Sequence, residues 1–239
     1  MSVDDELSAI KSLNDSEERN RSPVANYAKD AIAAIGVVVP PLGAALGVIA
    51  NALDRREASN REELVSALLK KVREHSGILA RLTAQSEEHA RFSKEEFPGL
   101  VVEGLRRAES VRSIKRIQRF AAVLASSLQV GPRDGADFVE EMLRIANELS
   151  DVDVKVLSLA SEAFSKQREM GTQEADTVLA ARAWTTMTTG ITGDELASVG
   201  EKLQSFGLVT RIQGHTGDFN SYRPLERGWR FIEYVRDRG

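Results

Sequence analysis

Side chains that commonly catalyse reactions or bind metals are few and scattered in this chain. It has no cysteine and three histidines, His75, His89 and His215. His75 and His89 lie 14 positions apart, which is about 21 Å along one helix and too far for a shared metal. No glycine-rich phosphate-binding motif is present. The sequence therefore predicts a protein that is not an enzyme and that needs no metal or cofactor.

Two carboxylates, Asp151 and Asp153, stand at the predicted start of a helix. Because they are two positions apart, they leave the helix on different sides. Ser150 and Asp153 have the spacing of a capping box, with Asp in place of the usual Glu. We therefore expect both carboxylates to stabilise the positive end of this helix.

A basic run lies between residues 106 and 119, with Glu103 and Glu109 beside it. It has three interpretations: a solvated helix face, a contact with anionic lipid headgroups, or a site for an anionic ligand or nucleic acid. The net charge of −4 gives no overall basic field that would attract nucleic acid. The candidate contact residues are Arg106, Arg107, Arg112, Lys115, Arg116 and Arg119.

The longest uncharged stretch is AIAAIGVVVPPLGAALGVIANAL, residues 31–53. Two prolines near its middle predict two half-length helical arms, each about half a bilayer long. The arms could form a buried hairpin in a protein core, a membrane hairpin or kinked span, or a segment that moves from one to the other. Large and small apolar residues on all faces indicate apolar surroundings all round. The candidate membrane or oligomer contacts are Gly36, Pro40, Pro41, Gly43 and Gly47, and the last two form a GxxxG step.

The elements around these residues are predicted to be mainly helical, because aromatic residues make up only 5% and Ala and Leu are abundant. We expect a flexible leader over 1–22 and a helical domain over 23–149. Within that domain, one long amphipathic helix is predicted from Asn60 to about Phe97, with Ser76-Gly77 as the place where it would break and Phe97-Pro98-Gly99 as its end. Two more helices are predicted, over 100–129 and 136–149.

Residues 150–239 have a different pattern, which predicts a separate α+β domain. A helix from Ser150 to about Lys166 is followed by a helix over 194–206, Gly207 as its cap, the strand LVTRIQ, the turn HTGDFN, the strand SYRPLE and a final helix. This order resembles a winged-helix module. The candidate recognition helix carries three acids against one lysine, so protein contact or ligand sensing is favoured over nucleic acid. A wing-side patch for nucleic acid or a partner would use Arg211, His215, Arg223, Arg227 and Arg230.

The uncharged stretch and the long charged helix are followed by two segments, SIKRIQRFAAVLASSL (113–128) and ELSDVDVKVLSLA (148–160). Over about residues 30–165, this order resembles the bacterial abortive-infection alpha family and related phage-defence proteins. The resemblance implies a role in anti-phage defence, through membrane damage that stops an infected cell. The polar, acid-rich N-terminus lacks a secretory pattern, which predicts a cytoplasmic protein. Our hypothesis is a homo-oligomeric, non-enzymatic effector that conditionally inserts into the inner membrane through residues 31–53, in response to a partner protein or signalling ligand. The alternatives are a soluble winged-helix DNA-binding regulator and an oligomeric scaffold of a defence complex.

Overall fold

The uncharged stretch forms two helices that meet at the prolines. The computed structural model describes residues 32–54, 59–130, 135–169, 191, 193–212 and 221–236. Helix α1 covers residues 32–38 and helix α2 covers Gly43–Asp54, with a 3-10 turn at Pro40–Leu42 between them. Proline lacks an N–H group and fixes φ, so it suits the first turn of a helix and interrupts the interior. The predicted division into two arms is therefore confirmed.

The segment predicted as one long helix consists of several shorter pieces. The break expected near Ser76-Gly77 is present at His75, whereas the division at Ser86 was not predicted. Helix α3 covers Ser59–Glu74, helix α4 covers Ser76–Gln85 and helix α5 covers Glu87–Arg91. Ser86 has an extended backbone, and its hydroxyl oxygen accepts a hydrogen bond of 3.3 Å from the His89 N–H. A serine in this position caps the N-terminus of a helix. A π-helical turn at Phe92–Glu96 then leads into the next helix.

The sequence Phe97-Pro98-Gly99 begins a helix, although it was expected to end one. Helix α6 covers Phe97–Glu109 with Pro98 in its first turn, where no intrahelical bond requires the missing N–H. Helix α7 covers Ile114–Val130, so the single helix predicted over 100–129 is also wrong. Ser113 separates the two helices, and its Oγ lies 3.4 Å from the Arg116 backbone nitrogen.

The remaining elements follow the predicted order of helices and strands. Gly207 has φ +66° and follows the end of the helix Gly193–Ser205, as expected for a glycine cap. The two strands are antiparallel, with Val209 opposite Pro224 and Ile212 opposite Ser221. The predicted leader over 1–22 and the turn over 215–220 lie outside the described residues. The elements are α8 (Gly135–Glu148), α9 (Asp151–Glu169), α10 (Gly193–Ser205), β1 (Val209–Ile212), β2 (Ser221–Pro224) and α11 (Glu226–Val235).

Helix α7 lies at the centre of the described fold and packs against α3, α6, α8 and α11. The absence of a side chain at Gly104 allows the close contact with α6. A Cβ added to Gly104 of α6 would lie 2.9 Å from Leu124 Cδ1 of α7. One apolar core extends from Ile35 in α1 to Tyr234 in α11. The described chain is therefore mainly helical, as the composition predicted, and the domain boundary expected near Ser150 stays a prediction.

Candidate functional site

The two-helix hairpin formed by α1, the 3-10 turn and α2 has one buried face and one exposed face. The buried face packs against α6 and the π-helical turn, through Ile35, Val39, Leu42, Leu46 and Ile49. On the other face Val37 is 82% exposed and Val38 is 45% exposed. The hairpin is therefore not surrounded by apolar atoms on all sides within the described structure, which corrects that expectation.

The glycines of the hairpin differ in their surroundings. A Cβ added to Gly36 would lie 3.6 Å from Leu46 Cδ1, so Gly36 lies between the two arms. A Cβ added to Gly43 or Gly47 would meet nothing within 4 Å among the described atoms. The GxxxG step thus faces outward with Pro40, while Pro41 is half-buried. Within the described ranges, no helix has the length and apolar character needed to cross a bilayer.

The basic run predicted from the sequence is divided between α6 and α7. On α6, Arg106 donates hydrogen bonds of 2.9 Å to both carboxylate oxygens of Glu103, and Arg107 forms an ion pair of 2.6 Å with the same carboxylate. These arginines, Arg106 first, hold the pKa of Glu103 below its ordinary value. Arg106 therefore fits the solvated helix face, whereas Arg107 and Glu103 are half-buried. Arg112 is exposed and Arg116 is half-buried.

Two residues of the run on α7, Lys115 and Arg119, line a cavity of about 530 Å³. Lys70 and Lys71 of α3 line it from the neighbouring helix. The other lining residues include the carboxylates of Glu63 and Glu74 and the apolar side chains of Ala67, Ala122 and Val235. Sequence reasoning missed the α3 lysines because their contact with α7 joins positions about 45 residues apart. The one local signal is the Lys-Lys pair itself.

Arg119 is only 8% exposed and connects three elements of the fold. Its Nη1 donates to the Leu149 carbonyl oxygen at 2.9 Å, and its Nη2 donates to Asp151 Oδ1 at 2.9 Å. Burial lowers the pKa of Arg119, and the charge of Asp151 opposes this shift. An arginine keeps its charge in this setting. The segments 113–128 and 148–160 are thus joined directly by one buried cation.

The predicted capping box at the start of α9 is confirmed. The Ser150 N–H donates to Asp153 Oδ2 at 2.7 Å, and the Asp153 N–H donates to Ser150 Oγ at 3.2 Å. Lys202 of α10 also donates to Asp153 Oδ2 at 2.7 Å and to the Glu148 carbonyl oxygen at 2.9 Å. The single lysine of the candidate recognition helix therefore binds the protein itself.

The arginines of the predicted wing-side patch do not converge on one surface. Arg227 forms an ion pair with Glu141 of α8, and the Arg230 guanidinium lies 3.9 Å from the ring centroid of Phe138. In the strand register, Arg211 lies opposite Tyr222 and Arg223 lies opposite Thr210. This register places the two arginines on opposite faces of the two-stranded sheet. His215 lies outside the described residues.

The other two histidines belong to different elements of the fold. His75 lies between α3 and α4, and His89 lies within α5. In the part of the chain that the structure describes, no group of three or more metal-ligating side chains comes together. Comparison with protein-family models, with curated proteins and with solved structures finds no match to this chain.

Proposed function

We propose that this protein is a non-enzymatic bacterial effector of the abortive-infection type that acts at the inner membrane through its two-helix hairpin. The observation that carries the proposal is the outer face of that hairpin. Val37 and Val38 are exposed there, Gly43 and Gly47 are open, and residues 32–53 contain no charged side chain. An exposed apolar surface without charge is typical of an interaction site or a membrane contact.

The length of the hairpin sets the form of this contact. Helix α2 has 12 residues, about 18 Å of helix, which is well short of a bilayer core of about 30 Å. The hairpin would therefore enter one leaflet, or lie at the interface, without crossing as a straight helix.

The buried face of the hairpin makes deeper insertion conditional. Ile35, Val39, Leu42, Leu46 and Ile49 are almost fully buried, and each such side chain gains about 1.5–3 kcal/mol from leaving water. Release into water would lose this stabilisation, whereas acyl chains replace the apolar surroundings. A membrane, or a trigger that loosens the contact with α6, would allow the hairpin to leave the core.

The resemblance of segments 113–128 and 148–160 to defence proteins supports the biological setting of the proposal. The contact of Arg119 with Leu149 and Asp151 gives both segments a structural role, so neither requires an enzymatic function. The engagement of Lys202, Arg227 and Arg230 within the protein favours this proposal over a DNA-binding regulator with a winged-helix module.

A vesicle experiment tests the proposal. We expect the purified protein to float with vesicles of phosphatidylethanolamine and phosphatidylglycerol and to release an enclosed dye. Val37→Asp places a charge on the outer face and should abolish both activities without unfolding the protein. Ile114→Asp is the matched control, because Ile114 is 59% exposed at the start of α7 and outside the hairpin. It should leave flotation and release unchanged.

The outcomes separate the proposal from its alternatives. Absence of flotation and release at every lipid composition would contradict a membrane role. A stable oligomer in light scattering, sensitive to Gly43→Leu with Gly47→Leu and without vesicle binding, would instead favour the scaffold, because an open GxxxG face permits close approach of a second helix. Salt-dependent binding to promoter DNA would favour the regulator.

A further inference from the structure

The cavity between α3 and α7 combines positive charge with a size suited to a small ligand. Its volume of about 530 Å³ is within the usual range for ligand sites, about 300–1,000 Å³. Four cationic side chains line it against two carboxylates: Lys70, Lys71, Lys115 and Arg119 against Glu63 and Glu74. Because Arg119 already pairs with the Asp151 carboxylate, the groups at the cavity are four cations against three carboxylates, an excess of one positive charge, whereas the whole chain is negative.

The cations of this cavity differ in mobility. Arg119 is buried and held by the Leu149 carbonyl and the Asp151 carboxylate, so little conformational entropy is lost when an anion approaches it. Lys70 and Lys115 are exposed, and their flexible stems let the ammonium groups follow an anion as point charges. An arginine with lysines around it is a set of donors that commonly binds phosphate groups.

The remaining wall of the cavity is apolar and comes from different parts of the chain. Ala67 lies on α3, Ala122 on α7 and Val235 on α11. These side chains offer a surface for the organic part of a ligand. The Ser126 hydroxyl donates to the Tyr234 carbonyl oxygen at 3.1 Å, which holds the end of α11 beside α7. A ligand in this cavity would therefore touch helices from both halves of the chain.

We infer that this cavity binds a small phosphate ester of nucleotide size, with its phosphates among the lysines and Arg119 and its organic part against the alanines and Val235. Among the described lining residues none belongs to the hairpin, so the inference does not depend on the proposed membrane contact. Binding would join α3, α7 and α11, and would stabilise the folded protein by mass action.

Calorimetric titration with ADP and with inorganic pyrophosphate, together with thermal unfolding, tests the inference. ADP should bind and raise Tm, and pyrophosphate should bind more weakly because it lacks the organic part. Lys70→Gln with Lys115→Gln should weaken ADP binding by at least about tenfold, since two charge-assisted contacts are lost. The control variant, Arg81→Gln with Lys94→Gln, removes the same charge from exposed positions outside the cavity. It should change the ADP affinity by less than about twofold.

A second variant keeps the test independent of charge. Ser66 also lines the cavity and is half-buried, so Ser66→Tyr should fill the space and abolish ADP binding while circular dichroism stays native. Val37→Asp should bind ADP normally even where it no longer binds vesicles. Equal weakening by both charge variants, or absence of ADP and pyrophosphate binding up to about 10 mM, would overturn the inference. Loss of vesicle binding in Lys70→Gln with Lys115→Gln, without binding of either soluble probe, would assign the cavity to a lipid headgroup and overturn it as well.

Discussion

The hairpin and the C-terminal helices use the same residue type, glycine, in opposite ways. A Cβ on Gly228 of α11 would lie 2.2 Å from the Leu208 carbonyl oxygen, and a Cβ on Gly200 of α10 would lie 2.3 Å from Tyr222 Cε2. A Cβ on Gly43 or Gly47 of the hairpin would meet nothing within 4 Å of the described structure. The C-terminal glycines are required by internal packing. The described fold has no such use for the two hairpin glycines.

Charged residues show the same difference between the two regions. In the C-terminal part, Lys202 binds Asp153, Arg227 binds Glu141, and Arg230 lies over Phe138. The hairpin has no charged side chain over residues 32–53, and its exposed face contributes no ion pair. The C-terminal part is thus held by contacts within the protein, while the described residues leave the outer face of the hairpin uncovered. In this chain, a glycine or an arginine is a candidate for a binding surface only where no contact within the described fold requires it.

The largest expected effect is that of Gly228→Ala. The new methyl group would collide with the Leu208 carbonyl, a backbone atom that cannot rotate away, and we expect a loss of about 3 kcal/mol in the free energy of unfolding. Gly47→Ala should instead leave stability unchanged or raise it by about 0.5–1 kcal/mol, because alanine is a better helix former and has open space there. Urea unfolding followed by circular dichroism measures both changes.

Equal changes in the free energy of unfolding for Gly228→Ala and Gly47→Ala would contradict the difference between the two regions. Equal loss of stability would mean that the outer face of α2 is packed in solution. In that case light scattering on wild type and Gly47→Ala shows whether a second copy covers that face. A loss confined to Gly228→Ala would support two different roles for glycine in one chain.

The second-largest expected loss of stability concerns the acidic residue in the first turn of α9, compared with one in the first turn of α10. Asp153→Ala removes the acceptor for both the Ser150 N–H and Lys202, and should cost about 2 kcal/mol because Asp153 is buried and both bonds involve charge. Asp194→Ala is the matched control, since Asp194 lies exposed in the first turn of α10. Its loss should be about 0.5 kcal/mol, as expected for a solvated acid near a helix N-terminus. Similar losses for both variants in urea unfolding would show that the contact between Lys202 and Asp153 does not stabilise the fold.

Features set by local chemistry were the ones that the sequence could predict. The prolines at 40 and 41, the cap at Gly207 and the Ser150–Asp153 box each depend on neighbouring residues, and all three are present. Ser86 and Ser113 were missed, because the apolar spacing around them continues without a visible interruption while their hydroxyls cap new helices. A serine is compatible with both a helix interior and a cap, so the surrounding fold decides.

The cavity was predictable only in part, for a related reason. Lys115 and Arg119 belong to a visible basic run, but Lys70 reaches the same space through the packing of α3 on α7. That packing joins distant positions and cannot be derived from one amphipathic pattern. The arginines of α6 belong to the same run in the sequence, yet they point to Glu103. Charge alone therefore did not distinguish a cation that lines a cavity from one that is neutralised on its own helix.

The smallest expected effect concerns Glu103 on α6, the helix against which the hairpin packs. Arg106 and Arg107 hold the pKa of Glu103 below its ordinary value, so its charge stabilises the fold above the pKa of the unfolded chain, about 4.3. That contribution disappears as the pH falls through the lowered folded pKa. Glu103→Gln should therefore cost about 0.5 kcal/mol at neutral pH, as for other solvent-screened pairs, and less near pH 3. A difference between wild type and Glu103→Gln in urea unfolding that grows on acidification would contradict this sign. A loss of several kcal/mol at neutral pH would show that these charges on α6 are as tightly coupled as those of the C-terminal helices.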